Sequence, residues 1–258
     1  MQVALTRDVS AAFERCELTH LAREPIDLRQ ARRQHDAYEQ RLKNAGCTVV
    51  RLAADDQMPD SVFIEDLAVV FDELGILTRP GAESRRAEIP AVALALAVYR
   101  RLVHIEPPGT LDGGDVLTVG QRVFVGESQR TNAAAISQMA RHLSAYGYTV
   151  HIVPVRGCLH LKSAVTAVSG DTLLINPEWV PADRFRPLKA IEVHPIEPYG
   201  ANALLVGGGV IYPTAFPRTA ARLREQGVSV VDVDVSELAK AEGAVTCCSL
   251  IFEEKRSG

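Results

Sequence analysis

Two adjacent cysteines, Cys247 and Cys248, stand just ahead of the apolar run Leu250-Ile251-Phe252 in Glu242-Gly-Ala-Val-Thr-Cys-Cys-Ser-Leu-Ile-Phe252. A thiol at the start of a late strand reads as a nucleophile on a rigid support; a pair of small buried hydrophobes is the plain alternative. A catalytic thiol needs a base, usually histidine, and a group that orients the base. His160-Leu-Lys-Ser163, ahead of an apolar strand, supplies a histidine. Leu111-Asp-Gly-Gly-Asp-Val-Leu117 supplies carboxylates. Its glycines permit backbone turns that a side chain would forbid, and its apolar flanks carry Asp112 and Asp115 inward; a hairpin turn with acidic punctuation is the alternative. Met58-Pro-Asp-Ser-Val-Phe-Ile-Glu-Asp66 sets Asp60, Glu65 and Asp66 around an apolar Val-Phe-Ile centre. Acids at the start of a buried strand are costly unless a cation meets them, so a central strand here awaits a cation, whereas a solvated loop does not. Arg85 and Arg86 lie in a linker, and Arg130 precedes Thr131-Asn132 at a helix start, where a cation opposes the helix macrodipole unless it holds a carboxylate.

The elements that would position these groups repeat. Hairpins are expected at 66–71 with 75–78, 115–119 with 122–125, 165–168 with 172–175, and 203–206 with 210–212. Their turns, near Gly75, Gly120, Gly170 and Gly208, lie about 40 to 50 residues apart, the spacing of a repeated supersecondary unit. Helix and strand follow most hairpins: 90–101 then 102–105, 130–146 then 149–153, a turn of helix at 181–188 then 191–196, and 214–226 then 228–235. The N-terminal segment fits the plan with strand 3–6, helix 28–45 and strand 48–52, and its missing hairpin partner would be 249–252. Five strand-strand-helix-strand units closed into a ring are therefore expected, with an open α/β sandwich as the alternative. In the ring, Asp112, His160 and Cys247 stand at the same end of three repeats.

Composition bounds the partners. Of 258 residues, 47% are apolar and 23% charged, with net charge −4; nucleic acid and anionic membranes are not expected as partners. The apolar stretch 91–99 is too short to span a bilayer. No basic segment leads into an apolar one at the start, so no signal peptide is expected and the cytoplasm is the expected compartment. The five cysteines include no CxxC pair, which argues against a disulfide framework or a structural metal; no metal and no cofactor are expected. A single catalytic domain over 1–258 is expected.

Together, Pro59-Asp-Ser-Val-Phe-Ile-Glu-Asp66, Leu111-Asp-Gly-Gly-Asp115, His160-Leu-Lys-Ser163 and Thr246-Cys-Cys-Ser249, with Ser84-Arg-Arg86 and Ser128-Gln-Arg-Thr-Asn132, closely resemble the dimethylarginine dimethylaminohydrolase family over nearly the whole chain. The resemblance implies a five-bladed α/β propeller, the pentein fold. It implies hydrolysis of Nω-methylated arginines to citrulline and methylamine or dimethylamine through a covalent thiouronium on cysteine. By it, Cys247 is the nucleophile, His160 the general acid/base and Asp112 the group that orients the imidazole. Glu65 and Asp66 grip the guanidinium, Asp60 serves near the substrate's amino end, and Arg85 and Arg130 bind the α-carboxylate. Leu18, Ala241 and Ser163 line the rest. Lys162 stands where related deiminases carry an aspartate, which fits an N-methylated substrate. Hydrolysis of another arginine-like guanidine or amidine remains the alternative within enzymes, and a non-catalytic pentein the alternative outside them. A third alternative, a redox or metal-binding protein using Cys247 and Cys248, lacks ligand spacing, although zinc could bind adventitiously at Cys247. Cys248 is expected on the opposite face of the strand from Cys247, in a structural role. A homodimer is compatible with the expected edge strands.

Overall fold

The computed structural model describes residues 1–254. Its strands form five three-stranded sheets of one pattern, in which the middle strand pairs antiparallel with a short inner strand and parallel with an outer one. In chain order, β1 (Gln2–Arg7), helix α1 (Leu28–Asn44) and β2 (Thr48–Leu52) open the first blade. The second holds β3 (Ala68–Val70), β4 (Leu74–Leu77), α2 (Ile89–Leu96) and β5 (Arg101–His104). The third holds β6 (Val116–Val119), β7 (Arg122–Glu127), α3 (Ala133–Leu143) and β8 (Thr149–Pro154). A helical turn, α4 (Leu161–Ala164), leads into the fourth, with β9 (Val165–Ala167), β10 (Thr172–Ile175) and β11 (Lys189–Glu192). The fifth holds β12 (Leu204–Val206), β13 (Gly209–Pro213), α5 (Pro217–Glu225) and β14 (Val230–Val233). After α6 (Ser236–Ala239), β15 (Leu250–Glu253) returns to pair with β1, Leu5 opposite Leu250 and Val3 opposite Phe252.

The burial pattern explains the plan. Middle strands are buried almost throughout, as at Leu74–Leu77, while the outer strand β5 is only half buried. A strand covered on both faces reads as a continuous apolar run. Five separate cores fill the gaps between neighbouring blades. Val3 and Leu5 pack with Ile64 and Leu77 between the first and second blades, and Tyr38 and Leu42 pack with Val206 and Ile211 between the first and fifth. Inner strands of adjacent blades touch, β15 with β3, β6 with β9 and β9 with β12, and so surround the axis. The expected ring closure, with the last strand completing the first blade, is what forms.

Boundaries move where hydrogen bonding overrides pattern. Helix α3 starts at Ala133 because Asn132 caps it, its side chain accepting from Ala135 N–H at 3.0 Å. Arg130 therefore lies in the bend ahead of the helix rather than in its first turn. Helix α2 ends at Leu96, short of the expected 101. The fourth blade crosses with only a 3-10 turn, Ala182–Phe185, and β11 ends at Glu192 rather than 196. The chain turns there so that Glu197 can cap α5 from outside, accepting Arg218 N–H at 3.0 Å and Thr219 N–H at 2.7 Å. Among the described residues no helix is long and apolar enough to cross a membrane.

Candidate active site

Each inner strand is reached through a tight lead-in: the 3-10 turns Ile64–Leu67 and Gly113–Asp115, the helical turn α4, the loop carrying Asn202, and the turn at 245–248. Charged groups on these lead-ins meet in one cavity. His160, just ahead of α4, places Nε2 3.0 Å from Asp112 Oδ2, and its Nδ1 lies 3.9 Å from Asp66 Oδ1. Asp112 is held from its other side, Oδ1 accepting Gly81 N–H at 2.9 Å. The glycines after Asp112 have a reason different from the expected turn freedom. A Cβ on Gly114 would stand 2.6 Å from His160 Nδ1, and one on Gly113 2.0 Å from the Glu65 carbonyl oxygen. Close approach, not left-handed backbone, requires them. Asp115 faces away from the cavity and ties its blade to α4, accepting Ser128 Oγ at 2.6 Å and Leu161 N–H at 2.8 Å.

Cys247 sits in a turn, not on the strand expected from its apolar neighbours. Buried groups fix that turn. Asn202 Oδ1 accepts Thr246 N–H at 3.1 Å, and Glu65 N–H donates to the Cys247 carbonyl at 3.1 Å. Ala244 N–H points at Cys247 Sγ, 3.3 Å away. Burial pushes the thiol up to about 12, aided by the Glu65 and Asp66 carboxylates and opposed by Ala244 N–H and Lys162. Burial works against a charged His160, but Asp66, the hydrogen bond to Asp112 and the nearby Asp115 outweigh it and lift the imidazole to about 9. At neutral pH the unliganded site therefore holds a neutral thiol and an imidazolium. Cys248 packs in the core between the first and fifth blades, fully buried.

The two adjacent acids have separate fates. Asp66 faces the cavity, accepting Gly114 N–H at 3.0 Å and Arg85 Nη1 at 2.6 Å; against the penalty of burial, His160 and Arg85 hold its carboxyl below the usual range. Glu65 does not line the cavity. Its carboxylate accepts Lys162 Nζ at 2.6 Å and Thr246 Oγ1 at 2.8 Å, and burial raises its pKa despite the lysine. The cation that these acids required is thus supplied by the chain itself. Arg85 is buried against Glu88, Asp66 and the carbonyls of Asp60 and Phe63. Arg130 has a lighter tie, Nη2 to Thr19 Oγ1 at 2.9 Å.

Residues 17–21 cover the cavity. Asp60 accepts Glu17 N–H at 3.2 Å, and burial pushes Asp60 up to about 6 against the pull of Arg85 and that N–H. Glu242 accepts the consecutive N–H groups of Thr19, His20 and Leu21. It adopts φ 59°, a conformation uncommon for a side-chain-bearing residue and retained where surrounding contacts demand it. Leu18 packs half-buried against the core between the first and fifth blades, the one that contains Phe13 and Phe63.

Asp60, Asp66, Arg85, Asp112, Arg130, His160, Ala241 and Cys247 all line the covered cavity, whose volume is about 30 Å³. Glu65 lies behind it, Leu18 lies in the cover, and Ser163 lines a neighbouring apolar cavity of about 250 Å³. Asp66, Asp112 and His160 bring potential metal-ligand atoms within 4.8 Å of one another. Both carboxylates already accept from Arg85, Gly81, Gly114 or His160, so the cluster is a charge network around the imidazolium. Asn202 was missed in the sequence. Its Nδ2 donates to Thr246 Oγ1 at 2.9 Å and to the Lys162 carbonyl at 3.1 Å, joining the cysteine turn to α4. It occupies, in the fifth repeat, the place ahead of the inner strand that Asp112, His160 and Cys247 occupy in theirs, and that equivalence could have found it. Glu242, the anchor of the cover, carried no signal.

Comparison with known proteins matches this arrangement to relatives. The profile of the family described as "N,N dimethylarginine dimethylhydrolase, eukaryotic" matches residues 19–192. The N(G),N(G)-dimethylarginine dimethylaminohydrolase of Streptomyces coelicolor is 41% identical over 257 residues, 97% of each chain. The Pseudomonas aeruginosa protein of that name is 36% identical, covering 88% of this chain and 90% of its own. A solved structure of the Pseudomonas aeruginosa enzyme, a cysteine-to-serine variant complexed with citrulline, superposes with TM-score 0.92 at 34% identity, covering 96% of this chain and 98% of that one.

Proposed function

The chain belongs to the dimethylarginine dimethylaminohydrolase family, and on that premise we propose that it hydrolyses Nω-methylated arginines to citrulline and methylamine or dimethylamine, acting as a single catalytic unit. The observation that carries this reading is the convergence of a thiol, an imidazole bonded to Asp112 and the Asp66 carboxylate on one cavity. A guanidinium is a poor electrophile because its charge is delocalised. Asp66 localises that charge and holds the central carbon against Cys247. The arriving cation also offsets the carboxylates that raise the thiol pKa, so the thiol gives up its proton to solvent as the substrate binds and the thiolate forms where the substrate is. Cys247 Sγ attacks the carbon, and His160, already charged, protonates the departing amine. The neutral imidazole then takes a proton from the water that displaces sulfur. Asp112 keeps the ring in place through both steps.

The remaining roles follow from how each group is held. Arg130, whose guanidinium among the described residues is tied only to Thr19, can exchange that hydroxyl for the substrate α-carboxylate, with Arg85 as a fixed positive charge behind it. Glu65 acts by position, bracing Thr246 beside the nucleophile. Asp60, Leu18 and Ala241 serve the amino-acid end. A cavity of about 30 Å³ holds little more than a water, so residues 17–21 must lift for substrate to enter. The cysteines are all free, which suits a reducing compartment such as the cytoplasm.

The test is citrulline release from asymmetric dimethylarginine, monomethylarginine, arginine and agmatine, with Cys247→Ser as control. Methylated arginines should be turned over well above arginine, and the variant should be silent. Preferred turnover of arginine would overturn the reading in favour of a deiminase.

A further inference from the structure

The apolar cavity of about 250 Å³ is walled by Leu21, Leu159, Tyr199, Phe216, Val235 and Ala239, and lies against the catalytic one. Leu159, Glu242 and Gly243 line both. Both reactive groups back onto this partition. Ala244, on the apolar side, donates its N–H to Cys247 Sγ at 3.3 Å, and Leu159 directly precedes His160. The acids at its edge have partners already: Asp234 accepts Gln34 Nε2 at 2.8 Å and Ser236 N–H at 3.0 Å, while Glu242 accepts residues 19–21. Among the described residues no acid lining this cavity is left without a partner to hold the guanidinium or the amino group. What the cavity lacks is apolar substance. His20 and Leu21 line it and belong to the cover, so releasing Glu242 opens both cavities together.

We propose that this cavity receives the Nω-substituent, and that the enzyme accepts linear Nω-alkyl arginines longer than the methyl forms. The inference rests on the hydrolase reading above. The chemistry is unchanged. Cys247 Sγ bonds to the guanidinium carbon and the bond to the alkyl-bearing nitrogen breaks. The alkylamine leaves with the proton from His160, and water then displaces sulfur to give citrulline. The alkyl chain is the only part that differs, and it lies against the apolar wall of Leu21, Leu159, Tyr199, Phe216 and Val235, while the polar groups at the edge, Asp234 and Glu242, keep their own partners.

The experiment measures citrulline release from Nω-methyl- and Nω-propyl-L-arginine by the intact protein and by Ala239→Phe and Ala215→Phe. Both alanines line the apolar cavity, are solvent-exposed and lie outside the catalytic groups. The intact protein should process the propyl substrate with kcat/KM within about tenfold of the methyl one, since each methylene is worth roughly tenfold or more when a pocket fits or refuses it. Each variant should lose about tenfold or more on the propyl substrate and stay within about twofold on the methyl one. Turnover of methyl but not propyl arginine, or equal losses on both in the two variants, overturns this inference and leaves the hydrolase reading intact. Silence on both substrates overturns the two together.

Discussion

The lead-ins around the propeller axis and the covering segment 17–21 face the same cavity, and both rely on carboxylates, yet they are held in opposite ways. Around the axis, side chains bind one another with at least one partner buried: Asp66 to Arg85, Glu65 to the half-buried Lys162 and to Thr246, Asp112 to His160. Removing one partner strands a desolvated charge or dipole, which is costly. In the cover, exposed backbone N–H groups of residues 19–21 donate to Glu242, and water can take over those bonds at small cost; only the Glu17 N–H reaches a buried acceptor, Asp60. Rigidity is thus concentrated where atoms react and mobility where substrate passes.

Breaking the axial side should have the largest effect. His160→Gln should lower citrulline release by about a thousandfold or more, as losses of members of a catalytic unit do; a loss under about tenfold would remove His160 from the chemistry. Asn202→Leu should come next. It leaves Thr246 N–H and the Lys162 carbonyl without their partner, costing about 2–4 kcal/mol in urea unfolding. It should also lower kcat about tenfold with KM nearly unchanged, because a misplaced nucleophile weakens the transition state rather than binding. A KM effect alone would place Asn202 with the substrate instead.

A titration sharpens the same contrast. With the thiol near 12 in the free protein, alkylation of Cys247 by iodoacetamide should keep rising past pH 9 without a plateau near 7, and a guanidinium ligand that does not react should move the curve to lower pH. A plateau near 7 in the free protein would mean a preformed thiolate. His160 is raised from 6.5 to about 9 in the fold, so the stability it contributes is complete below about 6.5 and is lost as pH climbs through about 9; the melting temperature should fall over that interval. Glu242→Gln belongs at the small end. Stability should change by less than about 1 kcal/mol, while amides 19–21 exchange faster and KM rises a few-fold. Unaltered exchange at those amides would show that Glu242 does not hold the cover.

The propeller was legible because one unit recurs, and each copy carries an apolar hairpin broken by a glycine or polar turn. Period alone located the blades, and the pairing of β1 with β15 followed from the one blade left incomplete. Helix and strand ends were less legible, since caps such as Glu197 act across the chain and leave no local mark. Within the site, residue type distinguished thiol, histidine and aspartates. It could not separate Glu65 from Asp66, adjacent acids whose roles diverge only because Lys162 and Arg85 arrive on different sides. Nor could it show that Cys247 turns before its strand begins, because the bonds from Asn202 and Glu65 that fix the turn come from other blades.

The pairing of β1 with β15 also sets an order of events during synthesis. The first blade cannot assemble until the last strand has left the ribosome, although its other two strands are made first. Cys247 lies in the turn just ahead of that strand, so the nucleophile and the clasp that closes the ring arrive together. A nascent chain therefore carries four potential blades and the histidine, but not the Cys247 thiol that completes the site. The same clasp brings the two ends of the described residues side by side, Glu254 N–H donating to the Met1 carbonyl at 2.8 Å. Joining them and cutting instead at the open hairpin turn of Gly170 would move the thiol into the first third of the translated chain while leaving the assembled ring as it is.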